Sequence, residues 1–196
     1  MQQLVFATNN QHKLEEVAAK IKDKFKLLSL ADIGCTDDIE ETGTTFRENA
    51  SIKSHYIYEK YKLNCFGDDS GLEIDALNGE PGVYSARYAG EHGNRDANIA
   101  KVLRNLGGET NRKARFRTVI SLMWNGEECF FDGTVEGSIR NSPSGNDPFG
   151  YNPIFEPEGY NVTFAEISLD EKNRISHRAK AMDQLIGFLS SDFSIK

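Results

Sequence analysis

The chain has 196 residues, enough for one domain (residues 1–196) that buries a sizeable core without disulfide staples. Thirty acidic residues against twenty-three basic ones give a net charge of −7, which opposes long-range attraction to nucleic acid polymers and anionic membranes. A small polyanion is still admissible wherever a local cluster of Lys and Arg, helped by a divalent cation, outweighs the global field. Cys35, Cys65 and Cys129 lie far apart, with no Cys-x-x-Cys pair and no zinc spacing, and read as reduced thiols. The start MQQLVFATNN lacks the basic and apolar stretches of a signal peptide, and the apolar runs are too short to span a bilayer. A cytoplasmic protein is expected.

In chain order, Leu4 to Ala7 predicts a short buried strand. It leads into Thr8-Asn9-Asn10-Gln11-His12-Lys13 and then a helical stripe at Leu14, Val17, Ala18 and Ile21. Free N–H groups at this helix start, with small polar side chains and a lysine, suit a phosphate. An ordinary cap by Thr8 or Asn9, with Lys13 in solvent, fits the same residues. There is neither a Walker A sequence nor a dinucleotide fingerprint.

A second helix is predicted from Thr45 to about Tyr61, with Phe46, Ala50 and Ile57 on its buried face. Asn49 and Lys53 fall beside that face and can point inward. A buried lysine needs an anion, either a carboxylate or a ligand phosphate, and a snorkelling lysine is the alternative.

Two strands are predicted next, Asn64 to Gly67 and Leu72 to Leu77, with Asp68-Asp69-Ser70-Gly71 between them. Adjacent carboxylates suit magnesium, which takes oxygen ligands, and one of them can deprotonate a water. The same four residues also suit a plain turn. Ser70 has no histidine in a recognisable triad motif and is assigned to phosphate binding rather than to nucleophilic attack.

A third helix is expected from Asp96, with Ile99, Val102, Leu103 and Leu106 as its stripe and Gly107-Gly108 as its stop. Ala114 to Trp124 and Glu128 to Ile139 predict a hairpin turning at Asn125-Gly126. The stretches Asn78 to Asn94 and Asn141 to Gly150 are long loops, which in a compact domain are usually functional. The second delivers Phe149, Gly150, Tyr151 and Asn152, of which the aromatics Phe149 and Tyr151 can stack on a base or join the core. A last helix is predicted from Ser176, its cap, with Met182, Leu185, Ile186 and Leu189 inward. Lys172, His177 and Arg178 would then cluster at that helix start, against its dipole unless an acceptor-rich ligand approaches.

Taken together, ATNNQHK, EETGTTFRENASIK, DDSGLEIDALNGEPGVYSARYAG, FGYNPIF and KNRISHRAKA, in this order, resemble the inosine triphosphate pyrophosphatase family of Ham1/RdgB-like enzymes. The resemblance covers nearly the whole chain. It implies an α/β fold with an elongated mixed β-sheet flanked by helices, two lobes around a central cleft, and a homodimer. It implies hydrolysis of ITP, dITP and XTP to the monophosphate and pyrophosphate, which keeps such nucleotides out of DNA and RNA, with Mg2+ as cofactor.

Carried onto this chain, the resemblance has Thr8, Asn9, Asn10, Gln11, His12 and Lys13 bind the triphosphate. Glu41 and Asp69 would hold magnesium, Asp69 would also activate water, and Ser70 would contact phosphate. Lys53 and Asp68 would complete the catalytic cluster. Phe149, Gly150, Tyr151, Asn152, Lys172, His177 and Arg178 would enclose the base. One position departs from the family, which usually has Asp where this chain has Asn152; an amide both accepts and donates hydrogen bonds. A nucleotide sensor or RNA-binding module, a pyrimidine nucleotide enzyme, and a serine hydrolase built on Ser70 are the rival readings. The retained acids Glu41, Asp68 and Asp69 count against a pure phosphate binder.

Overall fold

The computed structural model describes residues 2–21 and 24–192. Its elements alternate in the α/β manner, and its six strands form one mixed sheet in the order β2-β1-β3-β4-β5-β6. Strand β1 (Gln3–Phe6) pairs in parallel with β2 (Lys26–Leu28) and β3 (Cys65–Ile74), while β5 (Glu127–Ile139) pairs antiparallel with β6 (Phe155–Pro157). Strand β4 (Lys113–Trp124) and β5 form the predicted hairpin, with Asn125 and Gly126 both at positive φ, as a tight two-residue turn requires.

The chain divides into two compact units. The first comprises residues 1–69, 118–133 and 178–196. Its core gathers Leu4, Phe6, Val17, Ile21, Phe66, Ile120, Leu122, Met182, Leu185 and Leu189. The Phe6 and Phe66 rings stack at 4.4 Å across the β1–β3 pair. Helix α1 (Gln11–Ile21) turns Val17 and Ile21 inward, whereas Ala18, expected in the stripe, is exposed. The buried position is Glu16 instead, because Arg178 compensates its charge.

Helix α2 (Phe46–Tyr61) starts on a complete capping box: Thr45 Oγ1 accepts from the Glu48 N–H, and the Glu48 carboxylate accepts from the Thr45 N–H. It lies directly on β3. A Cβ at Gly67 would stand 2.6 Å from the Ala50 carbonyl oxygen and 2.9 Å from Lys53 Cβ, so only glycine admits this approach.

The second unit, residues 70–117 and 134–177, has its own core of Leu72, Ile74, Ile99, Val102, Phe116, Ile139, Ile154, Phe155 and Phe164. Helix α3 (Arg95–Leu106) is capped by Asn94, whose Oδ1 accepts from the Ala97 N–H, and ends at Gly107. Within the stretch Asn78 to Asn94, expected to be loop, Gly82–Arg87 forms a 3-10 helix. Residues 141–150 contain no helix or strand.

Three expectations need correction. The segment Asp68-Asp69-Ser70-Gly71 is neither a turn nor the end of a strand, since β3 runs unbroken through it. Leu72 to Leu77 likewise belongs to β3 only as far as Ile74, and Asp75–Leu77 is a 3-10 turn. In addition, a separate helix α4 (Leu169–Ile175) precedes α5 (His177–Asp192), and Ser176 sits between them with extended backbone. Lys172 belongs to α4, so Lys172, His177 and Arg178 do not share one helix start.

Candidate active site

In the first unit, three elements bring charged side chains to Asp68 and Asp69 in the middle of β3. Helix α1 supplies Lys13, whose Nζ donates to Asp68 Oδ1 at 2.9 Å. The α1 start is capped by Asn10, whose Oδ1 accepts from the Lys13 N–H at 3.2 Å, rather than by Thr8 or Asn9. Thr8 supports that cap, accepting from the Asn10 N–H at 3.2 Å. Asn9 and His12 are exposed, and Gln11 reaches along the helix to Glu15.

Helix α2 supplies Lys53 and Asn49, both buried. Lys53 Nζ donates to Glu41 and to the Asp68 backbone carbonyl. Asn49 Oδ1 accepts from the Gly43 N–H at 2.8 Å while its Nδ2 donates to Asp69 Oδ2 at 2.9 Å. Asn49 therefore ties the segment carrying Glu41 to the strand carrying Asp69. From α5, Arg178 Nε donates to Asp68 Oδ2 at 3.2 Å and Nη1 donates to Glu16.

Three cations, Lys13, Lys53 and Arg178, thus meet four carboxylates, Glu16, Glu41, Asp68 and Asp69. Burial disfavours a charged form, and neighbouring charges of either sign then decide the direction in which a group shifts. Burial raises the pKa of Asp68, but Lys13, Arg178 and Lys53 outweigh it and hold the carboxyl well below the usual range. Asp69 goes the other way: burial and the nearby charge of Glu41 exceed the pull of Lys53 and Lys13, and push it up to about 6. Burial lowers Lys13, aided by Lys53 and Arg178 and opposed by Asp68. For Lys53 burial is outweighed by Asp68, Glu41 and Asp69, and its pKa rises.

Asp69 is the fourth carboxylate, and its Oδ2 accepts from the Asn49 amide. Among the described residues no three His, Cys, Asp or Glu side chains group closely enough to hold a metal by themselves. A pair of mutually repelling carboxylates, Glu41 and Asp69, nevertheless fits a hard cation that takes one or two carboxylates and completes its shell with water and phosphate oxygens.

In the second unit the site residues rest on aromatic packing. The His177 ring stacks on Phe116 at 4.9 Å and 13°, and Phe116 packs against Phe155 at 4.6 Å and Phe164 at 6.0 Å. Tyr151 is buried and its hydroxyl donates to the Ser85 carbonyl at 2.8 Å, which makes it part of the core. Phe149 is half-buried, and Lys172 Nζ lies 5.6 Å from its ring centroid. Ser70 is half-buried in β3, and Gly150 is exposed. The loop 141–150 is tied down where Asn146 donates to the Ala165 carbonyl and Ser144 to Glu166.

A model of the Ham1 family matches residues 4–188. The chain belongs to the Ham1 family. It is 51% identical over 189 residues to a dITP/XTP pyrophosphatase of Flavobacterium psychrophilum, covering 96% of this chain and 100% of that one. A dITP/XTP pyrophosphatase of Flavobacterium johnsoniae is 49% identical, with 96% and 98% covered. Among solved structures, the Staphylococcus aureus Ham1 protein superposes with a TM-score of 0.89 at 42% identity, covering 97% and 100%. A Coxiella burnetii HAM1 protein gives 0.90 at 40%, with the same coverage.

Within this Ham1 chain, sequence reasoning missed Glu16, Asn49 and Asp147 as members of the charged and polar clusters. Glu16 carried a readable signal, standing one turn from Lys13 on the same helix face. Asn49 was seen to flank the buried face, but its partner Asp69 is twenty residues away.

Proposed function

We propose that the chain hydrolyses the non-canonical purine nucleotides dITP, ITP and XTP to the monophosphate and pyrophosphate, clearing them before they enter DNA or RNA. The observation that carries this reading is the charged cluster of the first unit, in which Asp68 binds Lys13 and Arg178 while Asp69 accepts from the Asn49 amide, in a chain 51% identical to a dITP/XTP pyrophosphatase. In-line attack by water on the α-phosphorus breaks the bond to the α–β bridging oxygen. Pyrophosphate leaves, and the water proton passes to Asp69.

Lys13 and Lys53 attract the triphosphate, Asn49 orients Asp69, and Asp68 holds both lysines in place. Thr8 to His12 and Ser70 are assigned to the phosphates. Magnesium, bound through Glu41 and Asp69 together with the substrate, would supply neutralisation of the charge that develops on the leaving oxygens.

The second unit is assigned to the base: Phe149 to Asn152, Lys172 and His177. For Arg178, the bonds to Glu16 and Asp68 support a role in fixing Asp68. A guanidinium carries five N–H donors, so the base contact implied by resemblance can be made with both of these bonds kept. A homodimer in the cytoplasm, each chain acting as a single catalytic domain, belongs to the same reading.

The test is to incubate the protein with dITP, ITP, XTP, dATP, GTP and UTP, with magnesium or EDTA, and to separate the products by anion exchange. Monophosphate plus pyrophosphate from dITP, ITP and XTP, dependent on metal, is expected. Diphosphate plus orthophosphate, or cleavage confined to UTP, would refute it.

A further inference from the structure

The second unit holds a hydrogen-bonded group that the assignment of roles above does not use. Asn152 is 3% exposed, and its Nδ2 donates to Asp147 Oδ2 at 2.7 Å. Lys172 Nζ donates to the same oxygen at 3.1 Å, and the Phe149 N–H donates to Asp147 Oδ1 at 2.9 Å. An ionised carboxylate only accepts, so it can face only the NH2 end of an amide. The opposite flip of Asn152 would set its carbonyl oxygen against Asp147 Oδ2. Burial opposes the charge on Asp147, but the Phe149 N–H, Lys172 and Asn152 outweigh it and keep the carboxyl below its usual range, hence ionised at neutral pH.

The consequence lies at the other end of the amide. No described residue donates to Asn152 Oδ1, and that atom is not sealed from solvent. A side chain this deeply buried with an open acceptor has an incomplete hydrogen-bond set, which a ligand donor can complete.

We infer that Asp147 is a specificity-positioning residue: it locks the Asn152 amide in one flip, so that Oδ1 stands as an acceptor for the N1–H of a 6-oxopurine. Hypoxanthine and xanthine carry that hydrogen. Adenine presents a lone pair at N1, which would oppose Oδ1 and leave it unsatisfied, the kind of mismatch that hydrogen-bonding sites reject strongly. The inference rests on the proposed purine triphosphate hydrolysis and names the group that orients its base contact. Asp147 touches Asn152, Lys172 and the Phe149 backbone, so it acts through them.

The experiment compares kcat/KM for dITP and dATP in the wild type, in Asp147→Asn, and in the exchanged pair Asp147→Asn with Asn152→Asp, with thermal unfolding of each. In Asp147→Asn the Asn152 amide is free to flip, and the dITP/dATP ratio should fall on the order of tenfold, the scale of one hydrogen bond. In the exchanged pair an acceptor-only carboxylate stands at 152 and an amide donor at 147, and the ratio should recover. A ratio unchanged in Asp147→Asn, or equal losses on both nucleotides with no recovery in the exchanged pair, would overturn the inference.

Should Asp147→Asn fail to fold, the exchanged pair decides: a wild-type ratio supports the lock, and a collapsed ratio refutes it. If the wild type cleaves neither nucleotide, the hydrolysis reading fails while calorimetric binding of dIMP against dAMP still tests Asp147. A preference for dIMP that Asp147→Asn erases supports the lock, and no preference refutes it.

Discussion

The two units hold their functional groups by different physics. In the first, Lys53 and Arg178 are buried and Lys13 is half-buried among Glu16, Glu41, Asp68 and Asp69, with ion pairs joining Lys13 and Arg178 to Asp68, Lys53 to Glu41 and Arg178 to Glu16. In the second, His177 is placed by ring stacking on Phe116, and Asn152 by one hydrogen bond to Asp147. Charge clusters of the first kind respond strongly to removal of a single member, because the partner is left buried and uncompensated. Stacked and neutral groups of the second kind shift geometry and selectivity by smaller steps. The contrast matches the proposed division of labour, in which one unit manages the polyanion and the other distinguishes bases.

Mutations that break this contrast should rank accordingly. Asp69→Asn removes the proposed proton acceptor while keeping an oxygen for the Asn49 amide to donate to. Turnover of dITP should fall about 10²–10⁴-fold with the thermal unfolding temperature near that of the wild type. A near-normal rate would remove Asp69 from the reaction.

Asp68→Asn strips the shared anion from Lys13 and Arg178. Breaking a buried pair in this way costs about 3–5 kcal/mol, read as a drop in the denaturant midpoint, and an unchanged midpoint would mean that water already solvates the pair. Phe116→Leu keeps an apolar, smaller side chain but deletes the stack on His177, worth about 0.5–1.5 kcal/mol. Base selectivity should change by a few-fold while the rate on dITP survives; loss of all activity would erase the distinction between the units.

The smallest effect concerns pH. Because the folded pKa of Asp147 lies below its unfolded value, its stabilisation is present above the unfolded pKa of about 3.9 and is lost as pH falls through the folded one. Asp147→Asn should flatten the acid limb of the stability curve in that window. An identical limb in wild type and variant would show that Asp147 gains nothing on folding.

Much of this was legible in the amino-acid order because it depends on short-range patterns. The helix from Thr45 to Tyr61 is written in its capping box and in Phe46, Ala50 and Ile57, and the same periodicity placed Asn49 and Lys53 at its inner edge. The Asn125-Gly126 turn is local as well. Asp68 to Gly71 misled because these residues favour turns by themselves, whereas Lys13, Lys53 and Arg178 compensate Asp68 from sequence distances of 55, 15 and 110 residues and keep the strand extended. Asp147 was hidden for a related reason. An aspartate before proline in a glycine-rich loop is unremarkable until Asn152 and Lys172 are seen to converge on it.

One small vacancy sets a mechanical tolerance for the first unit. At Gly67 the strand and helix α2 meet backbone to backbone, with no side chain between them to act as a cushion. Any methyl group introduced there becomes a spacer, and a rigid capped helix has no way to absorb it except by moving as a whole. Lys53 and Asn49 ride on that helix, so a change one residue from Asp68 would be transmitted through Asn49 to the Asp69 carboxylate as a displacement.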